Sequence, residues 1–295
     1  MSQSYGLGKT NSPSIRQRLK NQLARRDQFA DRASWLADMY VRVLNWKSSL
    51  PLPGRKRIFR IRPAAVAQPL TVRPNTTDLP CLCEIFTAGE YSDYAEFCPK
   101  RVSTVLDLGG NVGMSVRFWQ EKFPDVKILV VEPDEGNIAQ LMKNVLAGPS
   151  PSRVETVQAF AAAAAGQAGI DRSSGEWTFH MTENSHAGEP LVPKIPVGVL
   201  IEKLAGTADQ ISLLKCDVEG AEAEIFADCG NWISKVISAV VETHPPYGPA
   251  LLLNDLRKAG ARIKSHKVIA KGQDLNLLWA SLGGPDTEDH PGTRT

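Results

Sequence analysis

Val105–Leu106–Asp107–Leu108–Gly109–Gly110–Asn111–Val112–Gly113 carries an apolar run, begun at Ser103, past an acid and into a glycine-rich turn. Helical spacing follows, with Val116, Phe118 and Trp119 among its apolar positions. This is the strand–turn–helix that opens a nucleotide-type α/β fold. Glycines at 109, 110 and 113 let the backbone approach a ligand where a Cβ would collide. The helix behind the turn points free N–H groups at whatever lies there. A second acid, Glu132, ends the apolar run Lys127–Val131, 25 residues after Asp107. That spacing is one βαβ unit, and a carboxylate so placed can accept both hydroxyls of a ribose.

A pyrophosphate fingerprint reads Gly-x-Gly-x-x-Gly, with the anion on the helix N-terminus. Here the order is Asp-x-Gly-x-Asn-x-Gly, from Asp107 to Gly113. An ionised Asp107 at the mouth of the turn repels a pyrophosphate and favours a cation. S-adenosylmethionine (SAM) carries a sulfonium and an α-ammonium, and so fits better than NAD. The expected cofactor contacts are Asp107, Gly109, Asn111, Gly113 and Glu132. The bland alternative is a strand–turn–helix that holds no ligand.

Downstream, Leu213–Leu214–Lys215–Cys216–Asp217–Val218–Glu219–Gly220–Ala221–Glu222 resembles the "LLKIDVEGAE" signature of the FkbM-type methyltransferase family. Val131–Glu132–Pro133 resembles its "VEPD" segment, and Asn144 matches the Asn of its "L-x-x-N" helix end. Arg73–Pro74–Asn75–Thr76–Thr77–Asp78 resembles its opening motif, and Tyr91 sits in a matching "GEY". These five motifs occur in the family's order and cover about residues 70 to 280. Cys216 departs from the usual Ile or Met, a change a buried strand tolerates. The resemblance implies a SAM-dependent enzyme whose acceptors are hydroxyls of sugars and secondary metabolites. It also implies a Rossmann-like sheet of seven strands ending in a hairpin, the class I methyltransferase fold.

The pattern along the chain agrees with that fold. Strands are predicted at 104–108, 127–131, 153–159, 211–216, 237–242, 261–266 and 276–280. Helices are predicted near 113–122, 137–145, 201–204, 221–227 and 250–259. Such alternation gives a mostly parallel sheet with helices on both faces. Arg57–Arg62 and Leu70–Arg73 form a candidate strand pair; Cys81–Phe86 reads as a short strand and Tyr91–Phe97 as a helix. The Ala-rich run from Phe160 to Gly166 reads as strand end or loop, and residues 171–195 as an active-site insertion or hairpin.

Hydrophobic residues make up 42% of the 295, enough for a sizeable core. Charge is uneven. Residues 1–62 hold 14 Lys/Arg against 3 Asp, a net of +11, while the remainder nets −9. Residues 1–62 are therefore expected to form a basic helical arm and linker, residues 63–282 the catalytic domain, and residues 283–295 a disordered tail. Within the arm, Ser12–Pro13 suits a helix start, and Ile15, Leu19 and Leu23, then Leu36, Tyr40 and Val43 or Leu44, set two apolar stripes of one or two amphipathic helices that end near Trp46. Two readings of the arm compete: a surface for an anionic membrane, a phosphate-bearing substrate or a partner subunit, and a helix whose stripe packs on the catalytic domain. The five cysteines show neither a disulfide framework nor zinc-ligand spacing. No apolar leader stands at the N-terminus, and the expected location is cytoplasmic, with peripheral contact at the inner membrane surface as one use of the arm. A homo-oligomer is left open.

In an open α/β sheet, ligands sit beyond the carboxyl ends of the strands. Asp107, Asp217, Glu219 and His244 all land there. His244 is the expected general base, because imidazole titrates near neutrality. Asp217 and Glu219 are expected to orient the acceptor or take its proton. They could hold a divalent cation through oxygen, although no metal is predicted. Against these stand a packed histidine and a helix cap. Glu222, Tyr91 and Ser185 are the candidate substrate contacts, with His186 beside Ser185. His244–Pro245–Pro246–Tyr247 resembles only superficially the Asn/Asp-Pro-Pro-aromatic tetrad of nucleic-acid methylation, so no nucleic-acid partner is expected. The rival functions are a SAM-fold protein that binds without catalysis and an NAD-dependent dehydrogenase.

Overall fold

The computed structural model describes residue 21 and residues 23–46, 51–171, 180–182, 190–272 and 274–283. The helix start at Ser12–Pro13, the candidates Ser185 and His186, and the tail beyond Gly283 lie outside these residues. In chain order, α1 (Arg32–Trp46) precedes a two-stranded ribbon of β1 (Phe59–Ile61) and β2 (Leu70–Val72), followed by α2 (Asp78–Phe86) and α3 (Tyr94–Phe97). Then come β3 (Thr104–Leu108), α4 (Met114–Lys122), β4 (Lys127–Glu132), α5 (Glu135–Leu146) and β5 (Val154–Gln158). Four short strands follow, β6 (Phe160–Ala162), β7 (Gly166–Asp171), β8 (His180–Thr182) and β9 (Val192–Pro196). The chain closes with α6 (Val197–Ala205), β10 (Ile211–Cys216), α7 (Glu222–Ala227), β11 (Val236–Thr243), α8 (Pro249–Lys258), β12 (Arg262–Gly272) and β13 (Leu275–Gly283).

Seven strands form one sheet in the order β12-β13-β11-β10-β3-β4-β5. From β11 to β5 every neighbour is parallel, and β13 pairs antiparallel with both β11 and β12. This is the class I methyltransferase architecture, closing hairpin included. The central strands are apolar throughout because both faces are covered. Leu106, Leu129, Leu214 and Val241 face a core built with α6, α7 and α8. Val105, Ile128, Leu213 and Val240 alternate with them and face a second core built with α2, α4 and α5. Order reverses at β3, which lies between β4 and β10, and a cleft opens beyond the carboxyl ends there.

One element differs from expectation, and another is more elaborate than the sequence suggested. Cys81–Phe86 is the body of a helix, α2, not a strand: Leu79, Leu82 and Ile85 recur every three residues and all three are buried. The Ala-rich run opens as a strand, β6, and with the described parts of the polar insertion it joins a separate four-stranded sheet, β6-β9-β7-β8, whose antiparallel β7–β8 pair is the expected hairpin and in which Phe160, Ala168, Ile170 and Val192 pack together.

The described part of the arm packs on the domain. Phe29, Val41 and Ile61 join the second core, and the Arg62 N–H donates to Ser34 Oγ at 2.9 Å. Downstream of it, Asn144 is fully buried on α5. Its amide oxygen accepts from the Thr71 N–H and hydroxyl at 2.7 and 2.8 Å, and its NH2 donates to Val112 O at 2.8 Å. Arg73 makes a two-nitrogen contact with the buried Asp78 and also reaches Asn137 Oδ1 at 3.0 Å. These motif residues are clasps that hold β2 and α2 against α5.

Candidate active site

The cleft is walled on one side by Gly109, Asn111, Glu132 and Asn137, and on the other by Asp217, Val218, Glu219 and Ala221. Val131, Pro133 and the run Ala159–Phe160–Ala161 add an apolar floor. The floor was invisible in the sequence, where the Ala-rich run carried no signal beyond low complexity.

Three of the five expected cofactor contacts line this cleft. Glu132 Oε2 accepts the Asn111 N–H at 2.8 Å and Oε1 accepts the Asp134 N–H at 3.1 Å. Burial drives its carboxyl up to about 7, against the pull of those two N–H groups. Asn111 Oδ1 is buried and accepts no hydrogen bond from the described residues. Gly109 lines the cleft, yet its glycine requirement has a different origin from the one expected. Its φ is +78°, and a Cβ there would collide with the Asp217 carbonyl, so the residue admits the neighbouring strand end rather than a ligand. Gly113, also left-handed at φ +80°, packs on Leu141 and opens α4 from behind the cleft.

Asp107 does not face the cleft. It is fully buried, and the strand register sets it opposite Lys215. The Lys215 ammonium stands 3.2 Å from Asp107 Oδ1 and donates to Leu108 O at 3.1 Å and Gly109 O at 2.6 Å. Burial opposes the lysine's charge, but Asp107 and Asp217 overcome it and raise its pKa above the ordinary value. The charge argument built on Asp107 therefore fails at that residue: its carboxylate is already answered by an ammonium.

Besides Glu132, the carboxylates that line the cleft, Asp217 and Glu219, belong to a cluster around His244. Its Nδ1 is 2.9 Å from Glu222 Oε1, and its Nε2 is 3.2 Å from Glu219 Oε2 and 3.9 Å from Asp217 Oδ1. Glu219 holds a left-handed backbone, φ +55°, which a non-glycine residue adopts at a cost of about 1 kcal/mol or more. Burial works to strip the imidazolium of its proton. Hydrogen bonds to Glu219 and Glu222, with the charges of Glu222 and Asp217, outweigh that and push His244 up to about 11. An imidazole titrating near neutrality, as a simple base requires, is not what this site holds.

Two further candidates are corrected. Glu222 is fully buried and accepts from the Val218 and Gly220 N–H groups as well as facing His244, so it orients the imidazole rather than touching substrate. Tyr91 is 2% exposed, stacked on Trp119 at 5.0 Å and edge-on to Phe118, deep in the second core. Sequence reasoning passed over Glu242 and Lys271. Glu242 Oε2 accepts from Lys271 Nζ at 2.6 Å, and Lys271 also pairs with Glu90 at 3.2 Å. Burial, then the charge of Asp217, raises Glu242 to about 8 despite Lys271. The strand-end position of Glu242, two residues before His244, was the available signal.

Comparison with known proteins follows the same segment. The methyltransferase FkbM domain model matches residues 107–263, just over half of the chain. "Methyltransferase sdnD" of Sordaria araneosa is 29% identical over 175 residues, 49% of this chain and 67% of that protein. Among solved structures, methyltransferase FkbM from Methylobacillus flagellatus KT aligns with a TM-score of 0.44 at 14% identity, over 68% of this chain; the alignment spans about half, 53%, of that chain. The METTL16 methyltransferase domain aligns with a TM-score of 0.44 at 12% identity, covering 84% of this chain and 79% of that one. The matched domain begins at the acid of the glycine turn and runs into β12, through every residue of the cleft's polar wall, and this chain is a methyltransferase of the FkbM family.

Proposed function

We propose that this methyltransferase is SAM-dependent and methylates a hydroxyl of a sugar or secondary metabolite. The carrying observation is that Asp217 and Glu219 belong at once to the cleft wall and to the His244 cluster, so donor and acceptor share one edge. The cleft fits SAM on its own residues. Glu132 would accept ribose hydroxyls, the unpartnered Asn111 Oδ1 would accept an N–H or O–H, and Pro133 with Ala159–Ala161 would cover the adenine. Asp217 and Glu219 supply the negative field that Asp107 does not, favouring a sulfonium and opposing a pyrophosphate. SAM, when bound, supplies an electrophilic methyl group.

The chain's own task is alignment and proton removal. In-line transfer gains most from holding nucleophile and methyl in register. The acceptor hydroxyl donates to Asp217 or Glu219 and gives up its proton there as its O–CH3 bond forms and the S–CH3 bond breaks. His244, charged before the acceptor arrives, fixes Glu219 and spreads the charge towards Glu222. Catalytic roles thus fall to Asp217 and Glu219, with His244 and Glu222 as positioning residues.

The test is calorimetric titration with SAM and with NADH, followed by incubation of polyhydroxylated metabolites with methyl-labelled SAM. SAM binding, no NADH binding and label on an ether oxygen are expected. NADH binding, or SAM binding with no product S-adenosylhomocysteine on any hydroxylated acceptor, would overturn the assignment.

A further inference from the structure

We infer that Asp217, Glu242 and His244 form a site for a hard divalent cation of the Mg2+/Mn2+ class, a departure from the metal-free expectation above. β10 and β11 are parallel neighbours, with Cys216 opposite Val241. The next pair outward is Asp217 beside Glu242, so two carboxylates leave the sheet edge together. His244 follows Glu242 by two residues, the strand period that returns a side chain to the same face. One ligand atom from each of the three lies within 4.8 Å of the others.

The spacing is that of ligands around an ion. Asp217 Oδ1 and Glu242 Oε1 stand 3.9 and 4.0 Å from His244 Nε2. Those gaps are too wide for hydrogen bonds. They are within twice a metal–oxygen bond, which is about 2.0–2.6 Å for these cations. The two carboxylate ligand atoms are also unspent, while His244 Nε2 faces Glu219 Oε2 at 3.2 Å. Glu242 is 8% exposed, and no donor among the described residues reaches its Oε1. Asp217 accepts no hydrogen bond among the described residues, its nearest cations being Lys215 and His244, each at 3.9 Å.

Each ligand is held from behind in the way metal ligands are. Glu222 faces His244 Nδ1 at 2.9 Å, a contact that would hold the proton on that nitrogen while a cation displaces the one Nε2 shares with Glu219 at 3.2 Å. Lys271 anchors the outer oxygen of Glu242 at 2.6 Å and is itself anchored by Glu90. Five carboxylates, Glu90, Asp217, Glu219, Glu222 and Glu242, meet two ammonium groups, Lys271 and the more distant Lys215, and one imidazole here. Two carboxylates and one imidazole leave coordination positions open for water or a substrate hydroxyl, whose acidity a cation raises. Cation and proton would be alternative occupants of Nε2.

The test stands apart from the methylation reading because it uses the cation alone. The full chain, without SAM, is titrated with Mn2+ near neutral pH, following free Mn2+ by electron paramagnetic resonance and heat by calorimetry. One site per chain is expected, displaced by excess Mg2+ and weakened at least tenfold by Asp217→Asn, Glu242→Gln and His244→Ala. Glu202→Gln, on a distant exposed pair with Lys235, should leave it unchanged. On the unsubstituted protein, sub-stoichiometric Mn2+ should broaden the imidazole resonance of one histidine of the five. Absence of a site tighter than millimolar, several weak equivalent sites, or no selective histidine broadening would each overturn the inference, whatever becomes of the variants.

Discussion

Asp107 and Asp217 close neighbouring parallel strands of one sheet, yet they live in opposite electrostatic conditions. Asp107 is fully buried and register-paired with Lys215, whose remaining N–H bonds go to Leu108 O and Gly109 O. Asp217 is 31% exposed, faces the cleft and sits among carboxylates that outnumber their cations. The first arrangement holds two strand ends and the glycine turn together. The second keeps charge uncompensated where a ligand can reach it. An acid at a strand end is thus a structural or a chemical residue according to what the facing strand supplies.

Breaking the buried pair should have the largest effect. Lys215→Met leaves Asp107 charged without a partner, and chemical denaturation should show a loss of about 3–5 kcal/mol. Asp107→Asn combined with Lys215→Met should recover part of that loss, since neither partner is then left alone. If Lys215→Met proved as mild as a surface change, the contrast between the two acids would collapse.

Asp217→Asn tests the other half. Stability should move by no more than roughly 0.5 kcal/mol, the range for exposed positions. The rate of methyl transfer should fall about a hundredfold or more, the scale for losing a proton acceptor at the reacting atom. Equal damage to stability and rate would mean that Asp217, like Asp107, is structural.

Glu132 sharpens the comparison through pH. Its carboxyl rises from 4.5 to about 7 in the folded chain, burial being the chief cause. The folded state therefore keeps a proton that the unfolded chain releases, so this group's contribution to stability falls as pH climbs from 4.5 to about 7 and is level above. Ribose hydroxyls donate to the ionised form, so SAM affinity should rise across that window and then plateau. Glu132→Gln should flatten the profile and weaken SAM by about 1–3 kcal/mol in calorimetry. The smallest effect is expected at Tyr91: the phenylalanine variant keeps the ring stack, and stability, SAM affinity and acceptor KM should all stay within roughly 0.5 kcal/mol.

The fold was legible because its signals are local or periodic. The seven sheet strands and the closing hairpin follow from apolar runs, glycine turns and their spacing, and all seven are found in one sheet. Cys81–Phe86 was misread because six residues are too few to separate a buried helix from a strand without the neighbouring Leu79. The site was legible only in outline. Asp217, Glu219 and His244 do converge, since topology alone carries strand ends to one edge. What each does depends on partners remote in sequence. Lys215 silences Asp107 across strands, Glu222 from a helix start grips His244, and Lys271 from the hairpin grips Glu242. Pairings of that kind are set by register and packing, which a single sequence does not display.

The clasp formed by Asn144 on Thr71, and by Arg73 on Asp78 and Asn137, has a consequence for genetics. Asn137 lines the cleft, so the segment from Phe59 to Asp78, which contributes nothing to the cleft wall itself, is mechanically wired to it. A screen that scored only methyl transfer would collect substitutions in that segment alongside those at Asp217 and Glu132 and file them together. Thermal shift on each hit would separate them, because the segment's variants lose cooperativity of the whole domain whereas those at the sheet edge lose only the chemistry.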